Sequence, residues 1–158
     1  AAGKYPLETI QEMSRICEAA ESAEDVELDA DFTGKSFTRI DQTIAVGALF
    51  TAHHLGAKAI VALTDSGSTP LWMSRHRIHV PIYALTPRIA TQRKMAIYRN
   101  VRPLLMTTSS DRDSALTQAE QYLRKRGIVK SGDVYAITCG EPMGAPGGTN
   151  MLKICRAE

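Results

Sequence analysis

Ile60-Val61-Ala62-Leu63-Thr64-Asp65-Ser66-Gly67-Ser68-Thr69-Pro70 is the stretch that decides how this chain folds. A short apolar run empties into a hydroxyl-rich turn containing a glycine, and an amphipathic segment follows. That order reads as a buried strand, a tight loop and the first turn of a helix. The loop would bring four hydroxyls, those of Thr64, Ser66, Ser68 and Thr69, to a helix end whose first N–H groups lack intrahelical partners. Such a place suits a phosphate dianion, because the helix dipole also favours negative charge there. Ser and Thr are also the preferred residues before any helix, so an ordinary capped turn stays open as the other reading.

The same alternation extends in both directions. Upstream, Pro6 opens a helix over residues 6–20, with Leu7, Ile10, Met13, Ile16, Cys17 and Ala20 at helical spacing. Residues 21–40 are acidic, then mixed, and read as a connecting segment. Asp41 is the expected N-cap of a second helix with Ile44, Ala45, Ala48, Leu49 and Ala52 on one face, ended at Gly56. Downstream come a strand over 59–63, a helix over 69–76, a strand over 81–85, and a helix opened by Pro87 and reaching Met95. A strand over 101–106 follows, then a helix capped by Asp111 or Asp113 and stopped at Gly127, and strands over 133–139 and 150–155. Continuously apolar strands alternating with helices predict a parallel sheet covered on both faces. No helix fits between Cys139 and Asn150, so the last strand should join antiparallel. The expected fold is a three-layer α/β sandwich with five strands, the last antiparallel, and helices on both faces.

A second unusual stretch is Gly140-Glu141-Pro142-Met143-Gly144-Ala145-Pro146-Gly147-Gly148-Thr149-Asn150. Its glycine and proline density excludes a regular element. It is no dinucleotide fingerprint, because a strand rather than a helix follows. A long hairpin connection and a ligand lid both remain open. Ligands of open α/β sheets sit beyond the carboxyl ends of parallel strands, and both glycine loops leave such ends.

The 158 residues make one domain's worth of chain, 44% hydrophobic and 23% charged, as expected of a soluble globular protein. No apolar run approaches the roughly 20 residues that span a bilayer, and no signal-peptide pattern opens the chain, so the expected setting is cytoplasmic. Net charge is only +2, but it is unevenly spread. Carboxylates dominate residues 8–31, while seven Arg and Lys and no acid fall between Asp65 and Asp111. That basic middle suits a phosphate ligand, an acidic partner or plain solvent; no motif for reading nucleic acid accompanies it. Three widely spaced cysteines, Cys17, Cys139 and Cys155, form no Cys-x-x-Cys pair and read as small hydrophobes in a reducing compartment. His53 and His54 are adjacent on a helix and point apart. Ser66 lacks a nucleophile-elbow context. No catalytic set and no metal-binding set is expected in this chain.

Several short motifs in register carry a resemblance over essentially the whole chain. Ala1-Ala2-Gly3-Lys4-Tyr5-Pro6, followed by Met13, Ile16 and Ala20, resembles the Glu-Thr-Ala-x-Gly-x-Tyr-Pro segment that closes the barrel domain of pyruvate kinases. Residues 41–52 are similar to the Ala-rich helix that follows it. Leu63-Thr64-Asp65-Ser66-Gly67-Ser68-Thr69 is similar to the family's Thr-x-Ser-Gly-x-[Ser/Thr] loop. Tyr98-Arg99-Asn100-Val101-Arg102-Pro103 matches Tyr-Arg-Gly-Val-x-Pro with Asn for Gly, and Ser131-Gly132-Asp133 and Gly147-Gly148-Thr149-Asn150 match in order.

The resemblance implies a carboxy-terminal pyruvate kinase domain of bacterial type. Residues 1–24 would be the last barrel helix and linker start, and residues 25–158 the α/β domain. The implied parent moves a phosphoryl group between phosphoenolpyruvate and ADP with Mg²⁺ and usually K⁺. Its substrate and metal residues would lie upstream of Ala1, so no cofactor is expected in this domain. Implied partners are the chain's own barrel domain, the other subunits of a homotetramer, and an effector. Thr64, Asp65, Ser66, Gly67, Ser68 and Thr69 would hold the effector's phosphate; Gly144, Ala145, Pro146, Gly147, Gly148 and Thr149 would form the loop closing over it. Fructose-bisphosphate-regulated animal members carry a Trp and an Arg that grip a second phosphate. Residues 107–120 offer no Trp and only Arg112, and Glu141 places a negative charge in the closing loop. The expected effector is therefore a sugar monophosphate, such as ribose 5-phosphate or glucose 6-phosphate, or AMP. The alternatives are a purely structural tetramerisation module, assembling through apolar helix faces such as residues 44–50, and, far behind, a free-standing enzyme with Ser66 as nucleophile.

Overall fold

A computed structural model of the chain describes residues 2–23, 36–107, 109–144 and 148–158. The boundary expected near residue 24 lies outside them. Among the described residues five helices and five strands follow in the order α1 (Pro6–Ala23), α2 (Ile40–His54), β1 (Ala59–Leu63), α3 (Ser68–Ser74), β2 (Ile82–Thr86), α4 (Ile89–Met95), β3 (Val101–Leu105), α5 (Arg112–Lys125), β4 (Val134–Gly140) and β5 (Thr149–Arg156). The strands form one sheet in the order β3-β2-β1-β4-β5. All pairings are parallel except β4 with β5. The α/β class, the parallel core and the antiparallel last strand agree with the sequence reading.

Alternation along the buried strands builds two cores. Ala59, Val61 and Leu63 of β1 join Tyr135, Ile137 and Cys139 of β4 under α5, where Ala115, Leu116, Ala119 and Leu123 cover them. Ile60, Ile82, Ala84 and Ala136 point the other way, against Ala45, Ala48, Leu49 and Ala52 of α2, Met73 of α3 and Met95 of α4. Helices thus cover both faces, giving three layers. Because α2 spends Ala45, Ala48 and Leu49 on its own sheet, assembly through residues 44–50 would fall to the outward Phe50 and the half-buried Ile44 and Val46.

Pro103 sits within β3 at the sheet's edge, where a missing N–H costs no ladder bond. Asp111 caps α5, accepting from Ser114 N–H at 2.9 Å. Asp41 does not cap α2. Arg39 holds the N-cap position with extended backbone, and Asp41 lies in the first turn. Its carboxylate is taken by the Arg39 guanidinium at 2.9 and 2.8 Å and by Gln42 N–H at 3.0 Å. α3 is seven residues long, shorter than expected, and stops at Ser74.

Candidate functional site

Strand order locates the site before any side chain is considered. From β1 the chain steps to β2 on one side, while β4 lies on the other. A crevice opens beyond the carboxyl ends of strands at such a switch in direction. There the structure has a cleft of about 240 Å³, lined from the β1 side by Leu63, Thr64, Asp65, Ser66, Ser68 and Thr69, and from the β4–β5 side by Gly140, Met143, Gly144 and Thr149. Leu85, Pro87, Ser109 and Ser110 complete the wall. The two glycine loops therefore do face one another.

The loop after β1 turns at Gly67, whose φ of +78° is left-handed. A Cβ there would lie 3.0 Å from Met95 Cγ, so glycine meets both the curvature and the space. Side chains then close the turn on itself. Gly67 N–H donates to Thr64 Oγ1 at 2.9 Å, and Ser68 N–H to Ser66 Oγ at 3.3 Å. Behind the loop, Thr91 of α4 donates its hydroxyl to Asp65 O at 2.8 Å, and Lys94 Nζ reaches Ser66 O at 3.2 Å. Arg88 pairs with the Asp65 carboxylate at 3.8 Å.

These bonds decide which donors remain for a ligand. The Ser68 hydroxyl donates to Asp41 at 2.9 Å, and the Thr69 hydroxyl to Thr149 Oγ1 at 2.7 Å within the buried wall. Thr64 and Ser66 accept through their oxygens, which leaves both O–H groups to donate outward. The backbone amides of Asp65 and Ser66 have no carbonyl partner among the described residues. The cleft thus offers hydroxyl and amide donors, with no Lys or Arg among the described residues of its wall. With α3 only two turns long, directed donors rather than a helix dipole dominate what this end of the cleft presents.

Of the sequence-derived residues, Thr64, Asp65, Ser66, Ser68, Thr69, Gly144 and Thr149 line the cleft. Gly67 shapes it from behind. Gly148 stands against Gly140, where a Cβ on Gly140 would come 2.7 Å from Gly148 O. Ala145, Pro146 and Gly147 lie outside the described residues. Sequence reasoning missed Ser109 and Ser110, which follow the carboxyl end of β3 and could have been found by the rule applied to the other two loops. It also missed Asp41, which is 2% exposed. Burial opposes ionisation of that carboxyl, but hydrogen bonds from Arg39 and Ser68, the guanidinium charge and Gln42 N–H outweigh it and hold its pKa below the usual range.

Among the described residues the cleft wall contains no His, and Cys139 beneath it is fully buried, its thiol pKa pushed up by that burial. Among the described residues no group of three or more His, Cys, Asp or Glu side chains converges to hold a metal ion. No helix among them is long and apolar enough to cross a membrane.

A family model described as "Pyruvate kinase, alpha/beta domain" matches residues 42–155. The chain belongs to the pyruvate kinase alpha/beta domain family. It is 38% identical over 157 residues to the pyruvate kinase of Buchnera aphidicola, covering 99% of this chain and 33% of that protein. It is 40% identical over 155 residues to that of Staphylococcus epidermidis, covering 98% and 26%. Similarity to pyruvate kinase II of Salmonella typhimurium is 35% over 159 residues, covering 100% and 33%. Among solved structures, a pyruvate kinase from Cryptosporidium parvum superposes with a TM-score of 0.84 at 25% identity, over 100% of this chain and 31% of that one. The chain thus spans a quarter to a third of its curated relatives' length, and corresponds to the carboxy-terminal domain of a pyruvate kinase homologue.

Proposed function

We propose that this chain is the regulatory and assembly domain of a pyruvate kinase, and that its cleft binds the phosphate of a sugar monophosphate or of AMP. The observation that carries the reading is the facing pair of glycine loops at the sheet's switch point, where the O–H donors of Thr64 and Ser66 and the Asp65 and Ser66 amides have no acceptor among the described residues. Neutral N–H and O–H donors bind phosphate well when they converge. The full-length protein would transfer a phosphoryl group between phosphoenolpyruvate and ADP in the cytoplasm, on barrel residues that also hold Mg²⁺ and K⁺, and would assemble as a homotetramer. The barrel would cover the apolar face of α1, where Leu7, Ile10, Met13 and Ile16 are each more than half exposed.

Calorimetric titration of the full-length tetramer with ribose 5-phosphate, glucose 6-phosphate and AMP tests the reading. Saturable heat is expected with at least one of them; heat with none overturns it. The double substitution Thr64→Ala and Ser66→Ala should weaken binding, since hydrogen bonds to a charged group are worth about 1.5–3 kcal/mol each. A second reading, a structural module with no effector, is favoured by one fact: the Ser68 and Thr69 hydroxyls already serve Asp41 and Thr149. Kinetics indifferent to every phosphate tested would decide for it.

A further inference from the structure

A groove of about 610 Å³ lies at the end of the sheet opposite the cleft, between the close of α5 and the edge strand β3. Lys58, the residue before β1, lines it together with Arg102, the second residue of β3, and Arg126, the C-cap of α5. Tyr83, Leu104 and Ile128 belong to the same wall. Among the described residues no carboxylate stands in that wall, and no carboxylate pairs with Lys58, Arg102 or Arg126. Aromatic rings hold the two guanidinium groups in place. Tyr83 and Arg102 are partners across β2 and β3; Arg102 Nη1 donates to the Tyr83 hydroxyl at 2.9 Å, and the guanidinium lies 5.5 Å from the centre of that ring. Arg126 lies over the Tyr122 ring at 4.7 Å. Packing on an aromatic face orders a guanidinium without neutralising its charge. Lys58 is tethered by its backbone, its N–H donating to Val134 O at 2.7 Å. The carboxylate of the neighbouring Asp133 turns instead to Lys130 N–H at 2.8 Å.

We infer that this groove is a separate anion site, which binds an oligophosphate of two or three linked phosphoryl groups, either free or as the tail of a nucleotide. The inference does not depend on the cleft, with which the groove shares no lining residue. The two also differ in chemistry. The cleft presents neutral directed donors, whereas the groove presents full charges and guanidinium forks that match phosphate oxygens in pairs. A single phosphate leaves part of the charge on Lys58, Arg102 and Arg126 unanswered, and a di- or triphosphate spans it. The apolar surface of Leu104 and Ile128 gives a ribose or base a seat beside the phosphate chain.

The test acetylates exposed lysines of the full-length protein and follows the rate at each by peptide mass spectrometry, a readout local to the groove. Inorganic tripolyphosphate at millimolar concentration, without divalent metal, should slow acetylation of Lys58 by about fivefold, and orthophosphate at the same concentration by less than about twofold. The exposed Lys130, outside the groove wall, should react at an unchanged rate, which also reports that each variant is folded. Arg102→Gln combined with Arg126→Gln, both at exposed positions, should reduce the protection of Lys58 to the orthophosphate level. Arg102→Lys combined with Arg126→Lys should keep part of it, because the charge remains while the fork is lost. ATP in the same metal-free buffer separates the two sources. Protection at lower concentration than tripolyphosphate identifies a nucleotide seated on Leu104 and Ile128; equal or weaker protection identifies the phosphate chain alone. An unprotected Lys58, equal protection by orthophosphate, equal slowing at Lys130, or protection that survives both Arg→Gln changes overturns the groove site and leaves the reading of the cleft untouched.

Discussion

Asp41 supports the β1–α3 loop from outside it. The carboxylate is buried in the first turn of α2, yet it receives the Ser68 hydroxyl from 27 residues away and the two-pronged guanidinium of Arg39. Because its folded pKa is depressed, it contributes stability that is fully present above its unfolded value of about 4 and lost as pH falls through the lower folded value. Asp41→Asn should therefore cost about 1–3 kcal/mol at pH 7 in urea denaturation, and the gap from the native protein should narrow below about pH 4. A gap constant between pH 7 and pH 3 would show that the charge contributes nothing. Asn100 is the counterpart among backbone positions. Its φ of +57° suits glycine or asparagine, and its Nδ2 donates to Ile78 O and Val80 O at 2.9 and 2.8 Å. This explains why Asn stands where the family pattern has Gly. Asn100→Ala, losing both the tolerated conformation and two bonds, should destabilise by about 2–4 kcal/mol, and Asn100→Gly by less. The loop residues themselves were legible, since hydroxyls and a glycine after an apolar run announce themselves locally. Asp41 was misassigned as a cap because its partner across the fold leaves no mark on neighbouring sequence.

Elements were legible in proportion to how far local pattern governs them. β1, β2 and β4 are predominantly apolar and bounded by turn residues, so they lie within a residue or so of where the pattern puts them. α3 was overextended: Arg75 and His76 continue the helical composition, but the chain is already leaving for β2, as the bonds from Arg75 N–H to Trp72 O and His76 N–H to Met73 O show. The β4–β5 hairpin is the element whose geometry the cleft depends on most. Gly140 brings β4 so close to Gly148 that a Cβ would sit 2.7 Å from the carbonyl oxygen, and this contact sets where Thr149 meets Thr69. Gly140→Ala should push the strands apart, at about 1–3 kcal/mol of overpacking. It should also weaken monophosphate binding by more than that loss of stability alone would, because one wall of the cleft moves. Denaturation and calorimetry on the same preparation separate the two effects; a variant that loses stability but keeps full affinity would show that the hairpin's position does not matter to the ligand.

At the scale of the whole molecule, one helix stands apart from an otherwise closed design. Both sheet faces are covered, the edge strand β3 carries a proline, and the cleft opens where the winding reverses. Yet every described side chain from Ala2 to Ser22 is exposed, and among the described residues an ion pair from Arg99 to Glu21 at 3.9 Å ties α1 to the sheet's surroundings. An amphipathic helix gains most of its stability from burying its apolar stripe, so α1 is built for a surface other than this sheet. If that surface is the chain's own barrel, the stripe should behave oppositely in two settings. In the 158-residue chain by itself, Ile10→Lys with Ile16→Lys should reduce self-association, read by sedimentation, because an exposed apolar patch is removed. In the full-length protein the same pair should destabilise by roughly 3–6 kcal/mol, the burial worth of two isoleucines, and loosen the domain's hold on the barrel. A full-length protein indifferent to both lysines would leave the stripe without the covering proposed for it. The regulatory reading would then lose its mechanical route, since a phosphate gripped at β1 can influence distant chemistry only through elements that both domains share.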